Sequence, residues 1–357
     1  MGDGYRTVLL SNDTTSGDVM SFVRGGSALD AINKSAWVFR DFYLGPSTNT
    51  EAQKTSGNAI KLSSSTYENF FTDIRNVNIR YFPNQLYLTN ITFYRITNCV
   101  FFFYAGNAIY TDEPLSTDNG ENNIEGCSFF NGLGHNTSSV AVYSYVGGMK
   151  FIGNKINGGG HGFVQAALPI NSTSILLFAS NTIENTTYSC LRFTVPSGTG
   201  NFGQIAVVGN QFNPQLRAIY VETAATGQFE NITIEGNVFL VGVTGCYGID
   251  FQSGRNVSIQ GNVFRGVSGN TIAAAINVAA AVVNGVIGDN VFSGEIAAAQ
   301  QIANASTTVQ ANNLLNGIAR WNFATNTNIR LLGSGGSSTI ESTNDNRSAY
   351  QPLLLNA

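Results

Sequence analysis

Three carboxylates stand in matching local settings. Asp112 ends Ala-Ile-Tyr-Thr-Asp (108–112), Glu222 ends Ala-Ile-Tyr-Val-Glu (218–222), and Asp250 lies in Gly-Ile-Asp-Phe-Gln (248–252). Cys-Leu-Arg-Phe-Thr (190–194) and Ala-Ile-Asn-Val-Ala (275–279) have the same form. Apolar and polar residues alternate in each, the pattern of a strand with one buried face. Aligned by that alternation, one outward column holds Tyr110, Tyr143, Val164, Arg192, Tyr220, Asp250 and Asn277. The next holds Asp112, Ala166, Thr194, Glu222, Gln252 and Ala279.

Paired carboxylates can do acid–base work on a glycosidic bond. If the strands stack in register, Glu222 and Asp250 differ by one inter-strand step and one two-residue step, roughly 8 Å between Cβ atoms. That falls in the range of about 6.5–9.5 Å that suits an inverting glycosidase. Asp112 is a spare carboxylate. Tyr110, Tyr143 and Tyr220 can stack on sugar rings, Arg192 can grip an acidic sugar, and Gln252 adds an amide. The plainer alternatives are solvated acids, tyrosines stacked across neighbouring strands, and a surface ion pair.

His161, in Gly-Gly-Gly-His-Gly, is a proton carrier that with Tyr188 or Lys155 would serve a lyase; the plainer reading for it and for His135 is structural. The acidic stretch with Asp112, Glu113, Asp118, Glu121 and Glu125 fits no known calcium loop and reads as solvated. No metal and no cofactor is expected.

A repeated phrase must position these residues. It reads Phe-Ile-Gly-Asn-Lys-Ile (151–156), Val-Val-Gly-Asn-Gln-Phe (207–212), Ile-Glu-Gly-Asn-Val-Phe (234–239) and Ile-Gln-Gly-Asn-Val-Phe (259–264), with looser copies elsewhere. Its key positions are Cys99, Cys127, Asn154, Asn181, Asn210, Asn237, Asn262, Asn290 and Asn313, at steps of 23 to 29 residues. So steady a period marks a repeat architecture. Short strands without helical period, in units too short for a propeller blade, predict an all-β fold: a single-stranded right-handed parallel β-helix of about 9–11 coils. The Asn column is then a structural ladder at one corner. Cys99 and Cys127 are expected to be buried thiols.

The expected organisation is an N-terminal cap over residues 1–35, the β-helix over 36–316, and a short β-rich trimerisation or stalk-like segment over 317–357. Arg6–Leu10 reads as a strand, Leu29–Lys34 as a helical turn and Asn69–Phe82 as one strand. The abrupt ends suggest a piece of a longer protein. Charged residues are only 11% and the net charge is −4, with no basic stripe for nucleic acid and no apolar run long enough for membrane insertion.

The Gly-Asn-x-Phe coil phrase, the Asn/Ser/Thr-rich, Lys-poor surface and the tail Thr-Ile-Glu-Ser-Thr-Asn-Asp-Asn-Arg-Ser-Ala-Tyr-Gln-Pro-Leu-Leu-Leu resemble bacteriophage tailspikes and capsule or O-antigen depolymerases of the pectate-lyase-like β-helix type. The resemblance covers residues 36–357. It implies a homotrimer on the virion that binds a bacterial surface polysaccharide and cuts it by hydrolysis or by β-elimination. It carries over no catalytic residue. A non-catalytic receptor-binding or adhesin module is the reading from another class.

Overall fold

The computed structural model describes residues 7–11, 17–24, 37–46, 56–64, 72–91, 93–112, 121–132, 137–145, 147–167, 173–195, 201–224, 229–293, 296–306, 308–315, 318–324, 327–334 and 337–343. Leu29–Lys34 lies outside them. The chain forms a parallel β-solenoid in which a typical coil gives one short strand to each of three stacks. Sheet 1 follows the repeated phrase and includes Val100–Phe102, Ser128–Gly132 and Val238–Val241. Sheet 2 includes Asn107–Asp112, His161–Ala166, Ser189–Thr194 and Arg217–Val221. Sheet 3 includes Asn122–Glu125, Thr173–Ala179 and Phe229–Glu235. The long strand Tyr247–Gln260 serves sheets 2 and 3 in turn.

The repeated phrase builds the corner between sheets 3 and 1. From Cys99 to Asn290, the residue before each ladder position takes a left-handed backbone: Gly153, Gly209, Gly236 and Gly261 have φ of 65°, 65°, 64° and 62°. Glycine takes this conformation at little cost, and Asn or Asp tolerates it, as Asn98 and Asp289 do at φ 53°. The turn buries a backbone N–H that cannot be left unpaired. Asn237 shows the solution. Its Oδ1 accepts from the backbone N–H and side-chain amide of Asn210, both at 2.9 Å, and its Nδ2 donates to Val207 O at 2.9 Å. The same bonds run from Asn154 to Asn313. Cys127 and Cys99 occupy the preceding rungs as buried free thiols, and the Cys99 N–H donates to Cys127 Sγ at 3.5 Å.

Aromatic stacks fill the interior. Phe212, Phe239, Phe264 and Phe292 stack coil on coil at 5.1, 4.5 and 5.2 Å. Where sheet 1 carries the smaller Ile156 and Ile183, sheet 3 supplies Phe151 and Phe178, stacked at 5.1 Å. Trading volume between facing sheets keeps the core filled.

The stack reaches further toward the N-terminus than the ladder does. Within 1–35, Thr7–Ser11 and Met20–Arg24 pair in parallel with Phe42–Pro46 and Asn58–Ser64, so strands of the same stack cover that end. Asn69–Phe82 is not one strand. It divides into Asp73–Arg75 and Asn78–Arg80 because Asn76, at φ 52°, turns a corner there. Beyond Asn313 the pairing becomes antiparallel through Ile318–Ala324, Thr327–Ser334 and Ser337–Thr343.

Replacing Asn237 by Ala removes the acceptor of the Asn210 N–H and one donor to the Val207 carbonyl, which also lies in the parallel ladder of its strand. The expected loss is about 1–3 kcal/mol, the cost of leaving the buried N–H unpaired. The urea midpoint should fall accordingly, and Asn237→Asp should also destabilise, because its second oxygen would meet the Val207 carbonyl.

Candidate functional site

Sheet 2 carries the outward columns, and its register fixes which residues are neighbours. Tyr87, Tyr110, Tyr143, Val164, Arg192, Tyr220, Asp250 and Asn277 align one per coil. Thr194 follows two residues after Arg192, and Glu222 two after Tyr220. Glu222 and Asp250 therefore occupy adjacent coils, offset by two positions along the strand. Val164 and Ala166 face outward by register yet are fully buried.

A third outward column was not visible in the alternation. It runs Asn107, Val140, His161, Ser189, Arg217, Tyr247 and Ala274. These residues lie three positions before the first column, not two, because two successive buried residues intervene. Those pairs are Ala108-Ile109, Ala141-Val142, Gly162-Phe163, Cys190-Leu191, Ala218-Ile219, Gly248-Ile249 and Ala275-Ile276. The first member is small because the next coil is close. A Cβ on Gly162 would stand 2.4 Å from Cys190 O, and one on Gly248 2.4 Å from Ala275 O. The recurring small residue before Ile, Val, Leu or Phe was the available signal.

Two ion pairs cross the face, and the third column completes one of them. Arg192 Nε donates to Glu222 Oε1 at 2.7 Å, and its Nη2 binds the same oxygen. Arg217 Nε donates to Asp250 Oδ2 at 2.7 Å, while Asp250 Oδ1 accepts from Asn277 Nδ2 at 2.8 Å and from Gln252. The two carboxylates differ. The Asp250 side chain is 3% exposed and accepts from three side chains. The Glu222 side chain is 21% exposed and uses only Oε1, leaving Oε2 without a protein partner among the described residues.

The tyrosines mostly stack on one another. Tyr110 lies between Tyr87, at 4.6 Å and 10°, and Tyr143, at 5.8 Å and 18°. Both faces of Tyr110 are thus covered, so it offers a ligand an edge and not a platform. The Tyr143 hydroxyl is 3.3 Å from that of Tyr145. Burial, and then this hydrogen bond, push the Tyr143 phenol above its ordinary pKa. Tyr220 carries the Arg217 guanidinium over its ring at 4.5 Å. Asp112 ends the strand Asn107–Asp112 beside Thr89; its side chain and residues 113–120 lie outside the described residues.

His161 joins this face. Its ring is 5.3 Å from that of Tyr188, its Nδ1 is 2.7 Å from Ser189 Oγ, and its Nε2 is 3.5 Å from Arg192 Nη1. A guanidinium only donates, so Nε2 must present its lone pair and Nδ1–H must donate to Ser189. This tautomer makes His161 a brace for Arg192 and does not activate Ser189. Burial, and then Arg192, pull the His161 pKa down to about 4. No group of residues suited to holding a metal ion occurs among the described residues.

Solved structures of similar fold include forms of the tailspike protein of E. coli bacteriophage HK620. A double mutant is 11% identical, with 93% of this chain and 78% of that chain covered and a TM-score of 0.47. A mutant lacking two residues is 11% identical, with 93% and 77% covered and a TM-score of 0.48. The protein in complex with a pentasaccharide is 12% identical, with 93% and 78% covered and a TM-score of 0.44. No family model and no curated protein matches the chain.

His161 is neutral in the fold, whereas in the unfolded chain it takes up a proton near its ordinary value of 6.5. Its contribution to stability is present above pH 6.5 and is lost as the pH falls toward 4. Thermal melts between pH 7 and pH 4.5 should therefore show a shallower acid-side fall for His161→Asn than for the unmodified protein.

Proposed function

We propose that this protein is a virion tailspike that binds an O-antigen or capsular polysaccharide of a bacterial surface along the outer face of sheet 2 and hydrolyses it. The observation that carries this reading is the pair of neighbouring arginine–carboxylate units, Arg192–Glu222 and Arg217–Asp250, on adjacent coils of one rigid sheet. A stack of in-register strands offers an extended polymer a long face whose side chains recur about every 4.8 Å. The resemblance of the coil phrase, surface composition and tail to tailspikes supports the virion location and a homotrimeric assembly.

The two carboxylates have different work. Glu222 has the uncommitted oxygen and exchanges a proton with substrate or with the attacking water. Asp250 is saturated by its donors; it fixes Arg217 and sets negative charge beside the positive charge that develops on the sugar ring. Gln252, Tyr143 and Tyr220 border the reacting region, and Asp112 stays the reserve carboxylate toward the N-terminal coils. Elimination fits less well. It needs a base and a cation to neutralise a uronate, and here His161 is braced against Arg192 while both arginines hold protein carboxylates. A binding-only module is the second reading, favoured by the fact that each carboxylate already has an arginine partner.

The test is to incubate the protein with a panel of purified O-antigens and capsules and to determine the masses of the products. Hydrolysis adds one water per cut, whereas elimination leaves an unsaturated, ultraviolet-absorbing end. Glu222→Gln should lower turnover by about 10²–10⁴-fold while oligosaccharide binding persists. Full turnover in that variant would remove Glu222 from the mechanism, and binding without products from any polymer would establish the binding-only module.

A further inference from the structure

The charges on sheet 2 bear on the ligand's chemistry as well as on its cleavage. Each described cation on the outer face has a carboxylate of its own. Lys61 is 3.7 Å from Asp18, Arg217 is 2.7 Å from Asp250, and Arg192 is bound to Glu222. His161 carries no charge, because Arg192 requires its Nε2 lone pair. Such pairing is not automatic on this solenoid. Arg80 and Arg95, on other faces, have no carboxylate partner among the described residues, and Arg80 donates to Asn78 instead.

We propose, resting on the reading of this face as a saccharide site, that the polymer segment held against His161, Arg192, Tyr220, Glu222, Asp250 and Asn277 is uncharged. It would be built of neutral hexoses, deoxyhexoses or N-acetylhexosamines, not of uronic acids, sialic acids or phosphodiesters. An acidic sugar would meet arginines whose charge is already neutralised, and to gain a full ion pair it would have to displace Glu222 or Asp250. Asp250 is nearly inaccessible and held by three donors, and stripping one partner from a buried pair leaves the other charge uncompensated. Glu222, at 21% exposure, would repel an incoming carboxylate. The remaining accessible groups are hydroxyls and amides: Tyr143, Tyr145, Gln252 and Asn277. Their chemistry matches sugar hydroxyls and acetamido groups.

The test uses matched polymers. Oligosaccharides from uronic-acid-containing capsules are compared with the same oligosaccharides after chemical reduction of their carboxyl groups, alongside neutral O-antigen fragments. Affinity for the full chain is measured by calorimetry at about 50 and about 500 mM salt. Binding of a neutral or carboxyl-reduced ligand, changing less than about twofold across that salt range, supports the proposal. Glu222→Gln should then bind an acidic oligosaccharide at least about tenfold more tightly than the unmodified protein does, because Arg192 is released for it. Binding that requires the carboxylates, falls with salt and disappears on reduction would overturn the neutral assignment while leaving the saccharide face intact. Failure to bind any polymer, charged or neutral, would overturn both.

Discussion

A backbone N–H turned into the interior at each coil from Cys99 to Asn290 is the constraint on which this structure depends. The left-handed residue at the corner aims it away from solvent, and strand pairing does not reach it. The amide of the next Asn supplies the acceptor and at the same time anchors a carbonyl of the coil before. One side chain thus satisfies two backbone groups and fixes the vertical spacing of the stack. Because each rung needs the next, the ladder tolerates little slippage, and a register set at the corner between sheets 3 and 1 is transmitted around the coil to sheet 2.

That transmitted register gives the candidate site its definition. Side chains one coil apart stand about 4.8 Å apart without any loop to position them. Arg192 reaches Glu222 across one coil, and Arg217 reaches Asp250 across one coil. In a chain with 11% charged residues, such concentrations of charge are conspicuous. They are also nearly self-cancelling, which keeps partly buried charges affordable on a sheet face. The tyrosines obey the same geometry. Rings on successive coils stand at stacking distance, so Tyr87, Tyr110 and Tyr143 cover one another before any ligand arrives.

Much of this was legible in the sequence. The spacing from Cys99 to Asn313 announced the solenoid, and the phrase itself announced its corner, because only a few residue types accept a left-handed turn followed by a buried amide. The first outward column, from Tyr110 to Asn277, followed from alternation, even through Val164 where the pattern blurs. A strand at Arg6–Leu10 was legible and is present as Thr7–Ser11, but its membership of the stack and the strand Met20–Arg24 were not, since the coils that follow carry Phe42 and Val77 where later coils carry Asn, and the phrase is lost.

The sequence by itself determined the coil, its corner and the outward placement of Glu222, Asp250 and Arg192, since these follow from periodicity and local backbone preference. Only the tertiary structure decided what those residues do to one another. Arg217, Ser189 and Tyr247 lie three positions before the first column because two consecutive residues turn inward, the first of them small where the neighbouring coil comes close, as at Gly162 and Gly248. The pairing of each carboxylate with an arginine from the preceding coil, about 30 residues away, is likewise a matter of stacking. Local pattern fixes which way a side chain points, and the contact between coils fixes what it meets.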